Sequence, residues 1–587
     1  MSEPLSQSIQ KWSLANAQEF GSASAGKVLG KILAEHAECK KDVKGTLVLI
    51  EEECRRVNAL SKEALAAELS TFHFDVKKEE DTEGGRKITL PGAVQGRVVT
   101  RFPPEPSGYL HIGHAKAAFL NYESAKQAGG YMRLRMDDTN PEKEKQEFVD
   151  AIQAGLKWLG ISWQGDVTYT SDYMDTLYQY ADELMLKNRA YVCTCPAAEV
   201  KKGREKGEEC LCRAKFSEEN VHDFRRMMGG KFQEGEAILR FRGNMKAENT
   251  VMRDPTLFRM IFAPHFRQNE KYKCWPSYDF AVPIIDSIEG ITHSMRSKEY
   301  DLRDELYYSL LKILELRPVR MVSFSRLSIK GAPVSKRLIT PLIAEGKVSG
   351  YDDPRLPTLA ALKRRGIQPA AIREFVLSFG LTKVESEPGL DKLLSANRKL
   401  IDSTSPRRFF AADPALVEIT GAPERILTVR NHPQNAELGT RTMQAAPLVF
   451  IPGADATQLA DNETFRLKDW CNVRVRSRRD GTVPMPDGSS ASHLILSVEF
   501  VSDEGEVAKK VQWVADRAKK AASVIVPGDL LDDNGTYRPE SLQTVWGWAE
   551  DACSLMEIGQ SMQFERFGFV TLDGKKDETL SFIRLSD

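Results

Sequence analysis

Two imidazoles stand three residues apart in His111-Ile112-Gly113-His114, directly after the turn-forming run Pro103-Pro104-Glu105-Pro106-Ser107-Gly108. Backbone amides at a helix start point outward and the helix dipole favours anions there, so phosphate is the natural ligand. Both imidazoles can donate hydrogen bonds to phosphate oxygens. Gly113 has no side chain, so a flat base could approach its backbone closely. The same two histidines could instead cap the helix, sit on its surface, or bind a metal. A second candidate is Lys336 in Val334-Ser335-Lys336-Arg337, after an apolar run at 324–329. A loop lysine is a movable point charge that can reach charge developing on a polyphosphate; the plain alternative is a solvated basic loop. A third is the quartet in Cys193-Thr194-Cys195 and Cys210-Leu211-Cys212. Four thiolates can close a tetrahedral Zn²⁺ site, or remain free thiols beside the lysine-rich stretch 201–206.

These groups need elements to position them. Residues 97–102 read as a short strand, which the prolines cannot continue, since they remove backbone donors. A helix follows over about 114–128, closed by Gly129-Gly130. Residues 131–136 alternate Met132, Leu134 and Met136 with Arg133 and Arg135, a strand period. Asp137-Asp138-Thr139-Asn140-Pro141 ends that strand. Pro141 suits the first turn of another helix, to which Phe148, Val149, Ile152, Leu156 and Leu159 give an apolar face. Residues 97–160 thus read as a βαβα unit opening a parallel, doubly wound sheet.

The rhythm breaks over about 165–270, which reads as an insertion. Strand-like apolar runs resume at 280–287 and 322–327, and 354–380 is helical with a basic cluster at Lys363, Arg364 and Arg365. From Phe409 onward, short alternating runs at 448–451, 493–501, 510–514 and 563–572 are separated by turn signals such as Asp480-Gly481, Asp487-Gly488 and Asp573-Gly574. That pattern predicts antiparallel barrels. At the other end, Val28, Leu29, Ile32 and Leu33 share one helical face, as do Leu47, Ile50, Cys54 and Val57. The charged stretch 75–87, with Gly84-Gly85, predicts a linker and places a boundary near Leu90.

Composition bounds the reading. A chain of 587 residues is long enough for several domains. Its hydrophobic and charged fractions, 41% and 28%, are those of a globular protein and exclude bulk disorder, collagen and coiled coil. With 82 Lys and Arg against 83 Asp and Glu, a nucleic-acid partner must be gripped by local basic surface. No apolar window is long enough for a membrane span. The first 20 residues carry Glu3, Lys11 and Glu19 with no Arg, which fits neither a secretory signal nor a mitochondrial presequence and predicts a cytoplasmic protein. Nine cysteines fit a reducing compartment.

The two signature segments together resemble class I aminoacyl-tRNA synthetases of the glutamyl/glutaminyl branch. Residues 101–114, from Arg101 through His114, are similar to the branch's first signature, and Val334-Ser335-Lys336-Arg337 to its second, with Val334 in place of a methionine. Segments 137–141, Tyr278-Asp279-Phe280, 286–293 and 351–358 also match, in the family's order. The resemblance covers about 15–587. It implies an α/β multidomain chain. Residues 1–90 would be a helical N-terminal extension, and 91–165 and 271–345 the halves of a class I Rossmann-type catalytic domain. Residues 166–270 would be an inserted acceptor-stem-binding domain, 346–408 a helical connector, and 409–587 a β-barrel anticodon-binding domain. It also implies a reaction: ATP and an amino acid give an aminoacyl-adenylate, whose acyl group passes to tRNA, with Mg²⁺ arriving on ATP.

The resemblance assigns site residues. Catalysis falls to His111, His114 and Lys336. ATP contacts fall to Glu105, Pro106, Ser107, His111, Ile112, Gly113, His114, Ala115, Lys116 and Ala117, then Ser297, Arg326, Leu327, Val334, Ser335 and Lys336. Arg101, Asp137, Tyr278 and Arg296 would hold the amino acid, with Asp137 on its ammonium. Arg296 resembles the arginine that faces a γ-carboxylate in glutamyl enzymes, and Val282 stands where glutaminyl enzymes have a histidine, so glutamate and tRNA(Glu) are expected. The alternatives are a glutaminyl or non-discriminating enzyme, a tRNA-binding scaffold without activity, or a truncated relative that modifies a base. Arg296 could instead pair with Glu299 or Asp301. Arg474, Arg476, Arg478 and Arg479 could line a strand face toward phosphates or guard a solvated edge. The expected protein is a monomer whose N-terminal helices could dock tRNA or other synthetases.

Overall fold

A computed structural model of the chain describes residues 4–586 apart from 21, 37, 40, 41, 71 and 73–87, so the linker reading at 75–87 lies outside the described residues. The chain divides into two compact units, 1–84 and 85–587. In the first, helices Leu5–Phe20, Ala25–Glu35, Val43–Asn58 and Lys62–Ser70 share a core of Leu14, Val28, Ile32, Ile50 and Val57. Among the described residues, no helix is long and apolar enough to cross a membrane.

The second unit opens as the sequence predicts. Strand Val99–Phe102 leads through the proline turn into helix Ile112–Gln127, and Tyr131–Met136 returns parallel to the first strand, with Val99 opposite Tyr131. Gly129, at φ +65°, closes the helix, and a Cβ on Gly130 would lie 1.8 Å from the Val98 carbonyl oxygen, so only glycine fits the crossing. Strands His293–Ser297 and Arg320–Phe324 are parallel to each other. They join the first pair where Thr292 N donates to Val99 O (2.9 Å) and Val99 N to Thr292 Oγ1 (2.8 Å). The carboxyl ends of these strands carry the signature segments, as parallel sheets require.

Several sequence readings need correction. The helix expected to begin at Pro141 begins at Gln146. Residues 141–143 form a turn, tied by Asn140 N donating to the buried Glu144 (2.9 Å). Segment 280–287, read as a strand, lies in helix Tyr278–Ile288. All eight of its side chains are buried, so no polar face marks the helical period. Arg135, on the presumed polar face of its strand, is fully buried. Its guanidinium pairs with Asp286 (2.6 Å) and Glu289 (2.7 Å).

Residues 190–276 form a four-stranded antiparallel sheet: Ala190–Cys193, Ile238–Phe241, Thr256–Met260 and Cys274–Pro276. Helices Leu359–Arg365, Pro369–Leu377 and Asp391–Ile401 follow. The remainder holds two seven-stranded sheets, each with its own apolar core. They are not purely antiparallel. Each contains a parallel pairing between strands distant in sequence, 416–420 with 495–499 and 521–525 with 579–583. Asp487-Gly488 is a turn, with Gly488 at φ +83°. Asp480-Gly481 and Asp573-Gly574 instead lie inside strands Asn472–Pro484 and Gly568–Lys576. In the second, a shift of register between Leu572 and Gly574 absorbs the irregularity.

Candidate active site

His111 is the N-cap of helix Ile112–Gln127. Its Nδ1 accepts from Gly113 N (3.1 Å), and His111 N donates to His114 Nδ1 (3.2 Å). The rings lie 3.8 Å apart between centroids. This reciprocal cap decides the chemistry of both imidazoles. Each Nδ1 is an acceptor and so carries no proton, which leaves the hydrogen on each Nε2. Enclosure by protein holds His111 well below its ordinary pKa, with His114 and Arg326 adding to it, and burial takes His114 down to about 4. At neutral pH the pair is therefore uncharged, with two Nε2–H donors at a helix N-terminus. The capping and phosphate readings of the sequence are compatible: the cap orients the donors.

The second signature reaches the first. Lys336 opens helix Lys336–Ala344 and its ammonium donates to the Ser107 carbonyl. The turn beneath is braced by Asp137 N donating to Pro104 O (3.0 Å) and Lys145 N to Pro106 O (3.1 Å). A Cβ on Gly113 would lie 3.0 Å from the His111 ring and 3.6 Å from Leu327 O, so the Arg326-Leu327 backbone runs close beside the helix start. Of the expected nucleotide contacts, Glu105 is exposed, Ser107, Gly113, Ala117, Ser297, Val334 and Ser335 are half-buried, and Arg326 pairs with Glu299 (2.7 Å). Others face away from a ligand. Ile112, Ala115 and Leu327 are core side chains. Lys116 is buried, its ammonium donating to Ser325 O (2.7 Å) and Oγ (3.0 Å), with its pKa lowered to about 8 by burial. It ties the helix to the chain entering the second signature.

The amino-acid residues divide in the same way. Asp137 keeps some open surface, and enclosure raises its carboxyl to about 6 against the pull of Arg135. Tyr278 starts helix Tyr278–Ile288, its ring 5.2 Å from that of Tyr300. Arg296 is buried on strand His293–Ser297, with its guanidinium 5.4 Å from the Tyr307 ring and 5.9 Å from that of Tyr300. Its partner is neither Glu299 nor Asp301 but Asp304, whose carboxylate accepts from Nη2. Arg101 is fully buried and mostly occupied. It donates to Asp286 (3.2 Å), to Met295 O (3.0 Å) and to Ser294 Oγ (2.6 Å). Arg101 thus braces strand His293–Ser297, which carries Arg296.

At the end of strand Ala190–Cys193, the Sγ atoms of Cys193, Cys195, Cys210 and Cys212 lie within 4.8 Å of one another. Cys193 and Cys210 are 3.8 Å apart, as are Cys195 and Cys212. Four thiolates about 2.3 Å from one tetrahedral zinc would sit roughly 3.8 Å apart, so the donors fit that ion. The buried Arg240 donates to Cys193 and Cys210 (both 3.8 Å), placing a positive charge beside the thiolates.

The class I tRNA synthetase (E and Q) catalytic-domain model matches residues 97–403. Two anticodon-binding models of the same family match 405–485 and 510–573. The chain belongs to the glutamyl and glutaminyl class I tRNA synthetases. Curated relatives run its whole length. A "Glutamate--tRNA ligase" of Nitrosopumilus maritimus is 42% identical over 98% of this chain and 99% of its own. Proteins with the same name from Korarchaeum cryptofilum, 35% identical over the full length of both, and Pyrococcus abyssi, 36% identical over 96% of each, are also similar.

In this synthetase the basic run at 474–479 falls within the first anticodon-binding match. It lies on strand Asn472–Pro484, where a register shift between Val475 and Ser477 breaks the simple alternation. Arg476 pairs with Glu499 and Arg479 with Glu418 (2.8 Å), leaving Arg478 exposed without a resolved ion pair among the described residues. Sequence reasoning named Arg101 and the 286–293 segment but missed Arg135 and the buried ion-pair network that joins Arg101, Arg135, Asp286 and Glu289. The only signal was arginine inside strand patterns that led to the sheet's carboxyl edge.

Proposed function

We propose that this synthetase attaches L-glutamate to tRNA(Glu). The observation that carries the reading is the junction of the two signatures: the His111–His114 cap presents two neutral donors, and Lys336 reaches the adjoining turn. The family's reaction gives each group a task. The α-carboxylate of glutamate attacks the α-phosphorus of ATP and pyrophosphate leaves, giving glutamyl-adenylate. The Nε2–H groups of His111 and His114 and the ammonium of Lys336 stabilise charge on the reacting phosphates. A hydroxyl of the terminal tRNA adenosine then attacks the acyl carbon, and AMP departs. Glu105, Pro106, Ser107, Gly113, Ala117, Ser297, Arg326, Val334 and Ser335 border the nucleotide. Mg²⁺ arrives with ATP and is held chiefly by its phosphates.

Asp137 receives the substrate ammonium, Tyr278 packs beside it, and Arg296 reads the γ-carboxylate. A guanidinium facing a carboxylate gains about 1.5–3 kcal/mol, whereas the amide of glutamine would turn donors toward donors. Zn²⁺ bound by Cys193, Cys195, Cys210 and Cys212 would cross-link strand Ala190–Cys193 to the 210–214 turn, a structural role in the cytoplasmic enzyme. The test is charging of total tRNA with labelled glutamate or glutamine by wild type and Arg296→Ala. Glutamate is preferred by wild type, and the variant loses at least about tenfold in kcat/KM for glutamate. Equal use of both amino acids by wild type overturns the reading.

A further inference from the structure

The guanidinium proposed to read glutamate already holds a carboxylate. Arg296 is buried, with 5% of its side chain exposed, while Asp304 is 32% exposed. Asp304 is also the first residue of helix Asp304–Ile313. The 3-10 turn Lys298–Arg303 runs directly into that helix and Asp304 N donates to Asp301 O, so the carboxylate is not bound to the helix start. With a third of its side chain exposed, Asp304 can release Arg296 and turn to water. Arg296 cannot move in the same way, being packed beside Tyr300 and Tyr307 on a strand that Arg101 braces.

We propose that Asp304 is a specificity-determining residue, a resident carboxylate that occupies Arg296 until the side-chain carboxylate of glutamate displaces it. The inference rests on the reading of Arg296 as the γ-carboxylate partner. The charge arithmetic sets its consequences. With Asp304 in place, the pair is neutral and offers both a donor and an acceptor. That array suits an amide, whose oxygen would accept from Arg296 while its NH₂ donates to Asp304. With Asp304 turned away, the site is a bare cation offering donors only, which suits a carboxylate. Glutamate can exchange one carboxylate for another. Glutamine has no charge to offer in exchange and enters only while Asp304 stays. Asp304 thus weakens glutamate binding and supplies the acceptor through which residual glutamine is used.

The experiment is steady-state aminoacylation by the full chain with ATP and tRNA, varying glutamate and glutamine separately. Asp304→Asn should lower KM for glutamate by about 1.5-fold to fivefold, the range for exchange of a partly exposed ion pair. The ratio of glutamine to glutamate kcat/KM should fall by at least as much, with KM for ATP unchanged. Asp304→Glu restores the carboxylate and should return both values toward wild type. Asp304→Ser, which keeps a polar helix start, serves if the asparagine variant is unstable. An unchanged or raised KM for glutamate in Asp304→Asn overturns the proposal, because Asp304 would then only orient Arg296. The Arg296→Ala arm separates the two failures. If it leaves KM for glutamate unchanged, the reading of Arg296 has failed; if it raises KM while Asp304→Asn does not lower it, only the displacement has failed.

Discussion

Replacing His111 by serine separates the two tasks assigned to that imidazole. Serine is a good N-cap and can accept the Gly113 N–H bond that His111 Nδ1 now takes at 3.1 Å. The helix start should survive, whereas His111→Ala loses the cap at a cost of about 1 kcal/mol. In a unit of this size that loss lowers the unfolding midpoint by roughly 2 °C or less. The serine hydroxyl is too short to place a donor where Nε2–H sits, so one preorganised donor to the phosphates disappears. Loss of one such donor typically costs about 10²–10³ in kcat. The assay is aminoacylation at saturating ATP, glutamate and tRNA, with thermal unfolding alongside. His111→Ser should keep the wild-type midpoint and lose at least about a hundredfold in kcat, and His111→Ala should lose both. The pH profile adds a second constraint. Both imidazoles are held neutral, His114 down to about 4, so activity should not rise as pH falls through 6.5. A serine variant that keeps a third of wild-type kcat, or activity that climbs on acidification, would refute the neutral-donor argument.

Three further outcomes follow. Asp137, raised to about 6 by enclosure, must be ionised to hold an ammonium, so KM for glutamate should be flat above that pH and climb about tenfold per unit below it. The sign is that of an acid losing its charge on acidification, and a KM independent of pH from 7 to 5 would remove the assignment. Lys336→Ala should lower kcat by about 10²–10³, and Lys336→Arg should recover little of it, because a planar fork does not replace a compact ammonium; full rescue by arginine would show that bulk charge suffices. Purified protein, after dialysis, should carry about one zinc per chain, lost in Cys210→Ser together with a fall in unfolding midpoint; less than a tenth of an equivalent in wild type, by metal analysis, would leave the quartet as four thiols.

Local chemistry was legible in the sequence and distant partnership was not. The turn of prolines, Gly108 and the histidine pair places a strand end and a helix start within two residues of their observed positions, because backbone restrictions act locally. The cysteine spacing is sufficient to suggest a common ligand, and the sulfurs do converge. Segment 280–287 failed because a helix buried on every side has no amphipathic signature. Arg135 failed because the carboxylates that make its burial tolerable, Asp286 and Glu289, lie about 150 residues away. Local spacing offers Glu299 or Asp301 as the partner of Arg296. The chain instead turns through Lys298–Arg303 before bringing Asp304 back to it.

The segment read as an insertion also grips the turn that carries Asp137. Thr170 Oγ1 donates to Asp137 (3.3 Å), and Ser171 donates to Asp138 from both its backbone (2.8 Å) and its hydroxyl (2.7 Å). Arg259 donates to Thr139 O (3.2 Å), and the buried His265 sets Nε2 3.5 Å from Asp138 and 3.7 Å from Glu144. His265 Nδ1 accepts from the backbone of Arg267 and Gln268, so its hydrogen lies on Nε2, facing those carboxyls. Apart from those two backbone bonds, each of these contacts falls within residues 137–144. The carboxylate proposed to receive the substrate ammonium is therefore held by the sheet that Asp137 terminates and by Thr170, while Ser171, Arg259 and His265 hold the residues that follow it. A pocket held this way is sensitive to how the interrupting segment sits. Excising 166–270 from the chain would remove strand Thr168–Tyr169, which pairs parallel with Arg135 and Met136, and with it the grip on Asp137.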